Sequence, residues 1–279
     1  MARQVKREIV AALADDLADE QRELMDLLRT RPAEEWDRPT PAPQWTVRDQ
    51  IAHLAHFDGI TRMCVRSPEE FVRFRDTLGD LQDYVDGEGI DNGGRSGPEM
   101  LAWWRTEADG LRAAALAADP EVRVPWFGPS MSLASKLTAR IMETWAHGQD
   151  VVDALALHRE PSARLRHIAR IGVLAFANSF HARGLPVPEA DVRVSLLAPD
   201  GVDVWAWGSD DADNVVEGHA EDFCLVVTQR RHLEDTTLAV RGEIARRWMD
   251  VAQAFAGPPG AGRAPGQFPV RSVTAGRIR

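Results

Sequence analysis

The sequence predicts a two-part fold: a helical bundle over the first two-thirds of the chain, then a smaller α+β unit. Two observations carry this. Apolar residues repeat at helical spacing as far as about residue 182, with capping and proline signals between the runs. After Pro188 the period changes to alternation, as in Val192, Val194 and Leu196, the pattern of half-buried strands. A chain of 279 residues is long enough for both parts to bury cores without disulfide or metal staples.

Val10, Leu13, Leu17, Leu24, Leu27 and Leu28 mark one face of a helix over roughly 4–29, closed by Arg31-Pro32. A loop carrying Pro39, Pro41 and Pro43 leads to Trp45. Thr46 lies three residues before Asp49, a capping-box-like start for a helix over about 47–65. Ser67-Pro68-Glu69-Glu70 starts another, with Phe71, Phe74, Leu78 and Leu81. Five glycines make Asp86–Gly97 a loop, placed after Tyr84 as a lid would be. Pro98 opens a helix through Leu101, Trp104, Leu111 and Leu116. Pro120–Ser130 is a loop holding Trp126; helices then cover about 131–157 and 162–182, with Gly184 and Pro186 as stop signals. Two strands meet at the turn Pro199-Asp200-Gly201. Glu221–Arg230 reads as a short helix, Thr237–Val240 as a strand and Glu243–Phe255 as a final helix. These elements divide the chain into a bundle over 1–185, an α+β unit over 186–257 and a tail over 258–279. The tail is rich in Gly, Pro and Arg and has no acid, so it reads as a mobile tail or an arm packed over the surface.

The densest chemistry lies in Arg140-Ile-Met-Glu-Thr-Trp-Ala-His-Gly-Gln-Asp150. Glu143 and His147 are four apart on a helix, so both side chains share a face about one turn apart. That spacing grips a single metal ion or makes an ordinary hydrogen-bonded pair. Asp150 could orient an imidazole or sit in a surface ion pair. Arg140 could pair with Glu143 or a substrate carboxylate, or stay solvated. On the second helix His53 lies among Ile51, Leu54 and Phe57, as a core histidine or a ligand, and His56, three residues on, could share its face or be half exposed. One histidine from this helix with Glu143 and His147 would make a His₂Glu set with a position open to water or substrate. Trp126 precedes the ligand helix directly; with His56 it is a candidate for pocket lining.

These residues carry a resemblance. Trp36 and Pro39-Thr-Pro-Ala-Pro-Gln-Trp-Thr-Val-Arg-Asp-Gln-Ile-Ala-His53, with Glu143-x-Trp145-x-His147-Gly148-x-Asp150, resemble the mycothiol-dependent maleylpyruvate isomerase family. That family belongs to the DinB-like metal-binding helical bundles. The resemblance extends over nearly the whole chain, and residues 190–256 look like the family's small sterol-carrier-like C-terminal domain. It implies that His53, Glu143 and His147 hold a divalent metal, usually zinc, with mycothiol as co-substrate. It implies an S-transferase or isomerase that acts on a small electrophile through a metal-activated thiolate. Cys224-Leu-Val-Val-Thr-Gln-Arg230 resembles a family segment ending in Gly-Arg, which makes Arg230 the arginine facing the active site. Here Gln229 replaces the glycine, and Arg231 follows. An arginine suits an anionic substrate. The residues also fit a metal-dependent lyase, hydrolase or isomerase that uses no thiol, a ferrous oxygenase, or a small-molecule-binding protein with no activity.

Other classes are disfavoured. A net charge of −10 opposes nucleic-acid binding. Cys64 and Cys224 are far apart, so there is no disulfide framework and no thiolate zinc finger. No apolar run approaches the roughly 18 residues of a membrane span, and the N-terminal residues lack a signal-peptide core. The expectation is a cytoplasmic monomer or homodimer with a small-molecule substrate. Only two residues are lysine, Lys6 and Lys136, a bias in keeping with a GC-rich genome.

Overall fold

A computed structural model describes residues 1–85 and 94–270. Most of the glycine-rich loop, with its reading as a lid, and the end of the tail beyond residue 270 lie outside the described residues. The chain forms two compact units, Met1–Arg159 and Glu160–Arg279.

In the first unit the helical runs become α1 (Ala2–Leu28), α2 (Ala33–Trp36), α3 (Val47–Arg66), α4 (Pro68–Thr77), α5 (Leu81–Asp83), α6 (Gly97–Ala117) and α7 (Leu133–Ala154). Their starts are chemically marked. Thr46 and Asp49 close a reciprocal capping box at α3, and Ser96 and Glu99 close another at α6. Ser132 accepts a hydrogen bond from Ser135 N at the head of α7. Two short strands, β1 (Arg123–Val124) and β2 (Met131–Ser132), pair antiparallel just before α7. Helices α1 and α3 each pack on both α6 and α7. Two apolar clusters fill the bundle, one around Leu111, Leu137 and Ile141, the other around Leu24, Ile51, Trp104 and Val151. Gly97 permits a close approach: a Cβ there would lie 2.4 Å from the Trp36 indole nitrogen.

The second unit begins earlier than the pattern predicts. The helix expected over 162–182 is two helices, α8 (Leu165–Leu174) and α9 (Phe176–His181), parted at Ala175. They belong with the α+β unit, because α8 packs on α10 (Ala220–Val227) and α9 on α11 (Glu243–Val251). Gly172 lets α8 lie close, since a Cβ there would meet Val227 Cγ2 at 2.8 Å. The division therefore falls at Arg159 rather than near 185. The strands are β3 (Val192–Leu197), β4 (Val204–Trp207), β5 (Asn214–His219) and β6 (Ala239–Arg241), in the order β4-β3-β5-β6 among the described residues. The β3–β5 pairing is parallel and the others antiparallel. Strand β5 is not apparent from the sequence, because Val215 and Val216 are both buried and no alternation results. The tail is an arm as far as it is described. Asp235 accepts hydrogen bonds from Gly266 N (2.7 Å) and Phe268 N (3.2 Å), and the Arg231 guanidinium lies 3.8 Å from the centre of the Phe268 ring. Among the described residues no helix is long and apolar enough to cross a membrane.

Candidate metal centre

The adjacent helices α3 and α7 bring the predicted ligands together. One donor atom each from His53, Glu143 and His147 lies within 4.8 Å of the others. The His53 and His147 rings are 4.4 Å apart, centre to centre. His147 Nε2 and Glu143 Oε2, one turn apart on α7, are separated by 3.3 Å. Ligands of a tetrahedral zinc at about 2.0–2.1 Å stand roughly 3.3 Å from each other. The set is sheltered but not sealed: the side chains of His147 and Glu143 keep 14% and 27% of their exposure.

A hydrogen-bond relay fixes which nitrogen of His147 carries the proton. The Trp45 carbonyl can only accept, so the Thr40 hydroxyl donates to it at 2.8 Å. Thr40 Oγ1 then accepts from Gln50 Nε2 at 3.0 Å. The Gln50 amide is thereby oriented with Oε1 toward His147, where it accepts from Nδ1 at 2.5 Å. The lone pair of His147 is left on Nε2, facing the Glu143 carboxylate. Two acceptors that face each other at 3.3 Å repel unless a cation or a proton lies between them. Two imidazoles and one carboxylate, with one imidazole locked from behind, fit a divalent transition-metal ion. These residues are the ones that would hold it.

Trp45 roofs the set. Its ring stacks on His147 at 5.6 Å and 19°, and leans on His53 at 5.1 Å. The chain reaches this position through Gln44, whose φ of 69° is left-handed. The sequence reading missed both Trp45 and Gln50 as site residues. A signal existed for Gln50: three residues before His53 on a helix, it shares that face.

The other candidates fall in several places. His56 is half-buried and hydrogen-bonds the Tyr84 hydroxyl through Nε2. Burial, with the Arg140 charge second, pushes its pKa down. Trp126 belongs to an aromatic cluster with Phe71, Phe57 and Phe127, stacking on Phe71 at 6.0 Å. Asp150 is fully buried on α7, and the acceptor at His147 Nδ1 is Gln50. Arg140 is neither solvated nor paired with Glu143. It is buried, and its Nε donates to Asp58 Oδ1 at 3.0 Å. Arg230 lies in the second unit, at the end of α10. Its backbone N–H bonds the Leu225 carbonyl at 2.8 Å, while Gln229 N bonds Val226 O at 2.9 Å. That is a Schellman cap, and Gln229, at φ 59°, occupies its left-handed position, where glycine is the usual residue.

A helical bundle with a His₂Glu donor set between neighbouring helices defines the class: a DinB-like bundle with a candidate metal site. Residues 17–152 match the mycothiol maleylpyruvate isomerase N-terminal domain, and the chain belongs to this family. Among curated proteins it is similar to the uncharacterized protein Rv0036c of Mycobacterium tuberculosis, at 42% identity over 249 residues, covering 89% of this chain and 96% of that one. Its counterpart in a second strain of that organism matches equally well. Among solved structures it resembles the mycothiol-dependent maleylpyruvate isomerase at 14% identity and a TM-score of 0.54, covering 80% of this chain and 90% of that one. A mutant of that enzyme gives 16% identity, a TM-score of 0.53 and the same coverage. At these identities the likeness to the solved structures is one of fold.

Proposed function

We propose that the protein is a divalent-metal-dependent S-transferase or isomerase that directs mycothiol at a small electrophile. The observation that carries this is the donor set, in which an Nε2 lone pair and a carboxylate face each other beside a second imidazole. Family membership supports the choice of thiol. A divalent ion bound there lowers the pKa of a coordinated thiol or water, making a nucleophile at neutral pH. The chain's own contribution is positional. Gln50 holds His147 in the Nδ1–H tautomer. Trp45 and Phe57 cover the faces of the histidines and limit water. In this reading zinc is the metal and the α+β unit is sterol-carrier-like.

The test is metal content by plasma mass spectrometry, wild type beside His147→Ala, followed by mycothiol consumption with a panel of electrophiles. Near one equivalent of zinc, lost in the variant, and turnover that needs the thiol are the expected results. Metal content unchanged in the variant overturns the site. Turnover without thiol overturns the transferase reading and favours a lyase or hydrolase.

A further inference from the structure

The three donors of the candidate metal centre are not equally open. His53 is boxed by three rings, Trp45 at 5.1 Å, Phe57 at 4.5 Å and His147 at 4.4 Å, and 7% of the residue is exposed. His147 has Trp45 stacked on one face and Gln50 at Nδ1, and its side chain keeps 14%. Glu143 keeps 27%. Water therefore meets the donor set from the Glu143 side. The histidine side is covered by ring faces, which give a water molecule little to hydrogen-bond. The roof is also built to stay in place. Its loop carries Pro39, Pro41 and Pro43, and Pro39 bridges Thr46. Thr40 N donates to the Trp45 carbonyl at 2.8 Å, and Trp45 N to the Ala42 carbonyl at 3.2 Å. Gln44 holds a φ of 69°, which residues with a side chain rarely adopt and which persists only where the surroundings enforce it. The Trp45 carbonyl also receives the Thr40 hydroxyl that begins the relay to His147. One residue thus acts on one imidazole twice, with its ring on the face and its carbonyl, through Thr40 and Gln50, at Nδ1.

We propose that Trp45 determines which divalent ion the centre accepts, by denying room to the extra waters that six-coordinate ions keep. Three protein donors leave one position to fill on a tetrahedral ion and three on an octahedral one. Zinc has no geometric preference from its d electrons and is content with four ligands. Manganese favours octahedral surroundings and nickel is not suited by a tetrahedral set, so both lose more when water is kept out. Selection by geometry is what such a site needs, because donor type alone separates these ions poorly. Trp45 acts here through the histidines and the excluded water, as a positioning residue. The inference rests on the metal site of the proposed function, and on neither the thiol nor the substrate.

The test compares ions rather than activity. Zinc, nickel and manganese are titrated separately into the metal-free full-length protein against a competing chelator, for wild type, Trp45→Ala and Trp45→Phe. Cobalt(II) is then bound to each, because its visible bands are intense with four ligands and weak with six. Wild type should give the intense spectrum. Trp45→Ala should give the weak one, and its preference for zinc over nickel and manganese should fall about 10- to 100-fold. Trp45→Phe, which restores a ring, should recover both. A roof that merely steadies the loop would weaken every ion alike, so unchanged ratios and an unchanged cobalt spectrum in Trp45→Ala would overturn the proposal. A weak, six-ligand spectrum in wild type would overturn it too, and needs no variant to fold. Failure of every ion to bind removes the metal centre and this inference together. Turnover without thiol, with the zinc preference intact, removes only the thiol chemistry.

Discussion

The helices α3 and α7 carry two polar clusters side by side, one closed and one open. In the closed one, Asp58 of α3 accepts from Gln21 of α1 (2.7 Å), Trp104 of α6 (2.8 Å) and Arg140 of α7 (3.0 Å). One carboxylate thus ties α1, α3, α6 and α7, and its side chain is 0% exposed. Burial pushes the Asp58 carboxyl up; Arg140, Trp104 and Gln21 oppose it. The open cluster is His53, Glu143 and His147, where two acceptors face each other and exposure remains. Asp58 lies five residues from His53, and Arg140 three from Glu143. The same helix pair therefore holds both. What separates them is burial and charge balance: Asp58 is sealed in the core with Arg140 against it, while the donor atoms of the trio converge where His147 and Glu143 stay partly exposed.

Four substitutions test that contrast, starting with the largest effect. Asp58→Ala strands the Arg140 charge in the core and should cost about 3–5 kcal/mol in chemical denaturation. A loss under about 1 kcal/mol would mean that Asp58 is not the knot of the bundle. Gln50→Leu keeps the volume but frees His147 Nδ1. It should weaken metal binding about 10- to 100-fold in a competitive chelator titration. If Gln50→Leu instead unfolds the protein as Asp58→Ala does, the line between the clusters is drawn in the wrong place.

Gly148→Ala sits between them. Alanine gains about 1 kcal/mol in helix propensity. Its Cβ would meet Arg159 Nη1 at 3.0 Å and Leu24 Cδ2 at 3.1 Å. Arg159 cannot swing away cheaply, because it is buried against Glu20 at 3.2 Å. Overpacking at about 1–3 kcal/mol should win, giving a net loss of about 1 kcal/mol in melting experiments. The smallest effect is in pH. The Cys64 thiol is raised from 9.0 to about 12, so its contribution is complete below pH 9 and lost as pH rises toward 12. Wild type should therefore lose stability relative to Cys64→Ala between pH 8 and 10.5, read from urea midpoints. A constant difference would show that water reaches the thiol.

The elements and the ligand trio were legible because each obeys a local rule. Helical spacing places Glu143 and His147 on one face, and the capping box at Thr46 sets where His53 falls. What was hidden depends on partners distant in sequence. Arg140 reads as a surface or site residue until Asp58 is seen 82 residues away. Gln50 is an unremarkable amide until a histidine 97 residues on comes within reach. The start of the second unit was hidden likewise, because an amphipathic stretch at 165–174 does not say which core it covers. Lys136 looked like a compositional residue. Its burial is decided by Trp126 and α3, not by its own neighbours in sequence.

The arm over Asp235 has a bearing on how this chain can diverge. The receiving carboxylate, 31 residues upstream of Gly266, takes hold of backbone N–H groups at 266 and 268 and ignores side chains there. Drift in the arm should be tolerated where its side chains touch nothing, but not proline at 266 or 268, a side chain at Gly266 with its φ of 75°, or loss of the Phe268 ring beside Arg231. A change at Asp235 would remove both of these backbone anchors at once. Order in this stretch is thus inherited through a residue outside it, and a survey of the arm alone would mistake constraint for freedom.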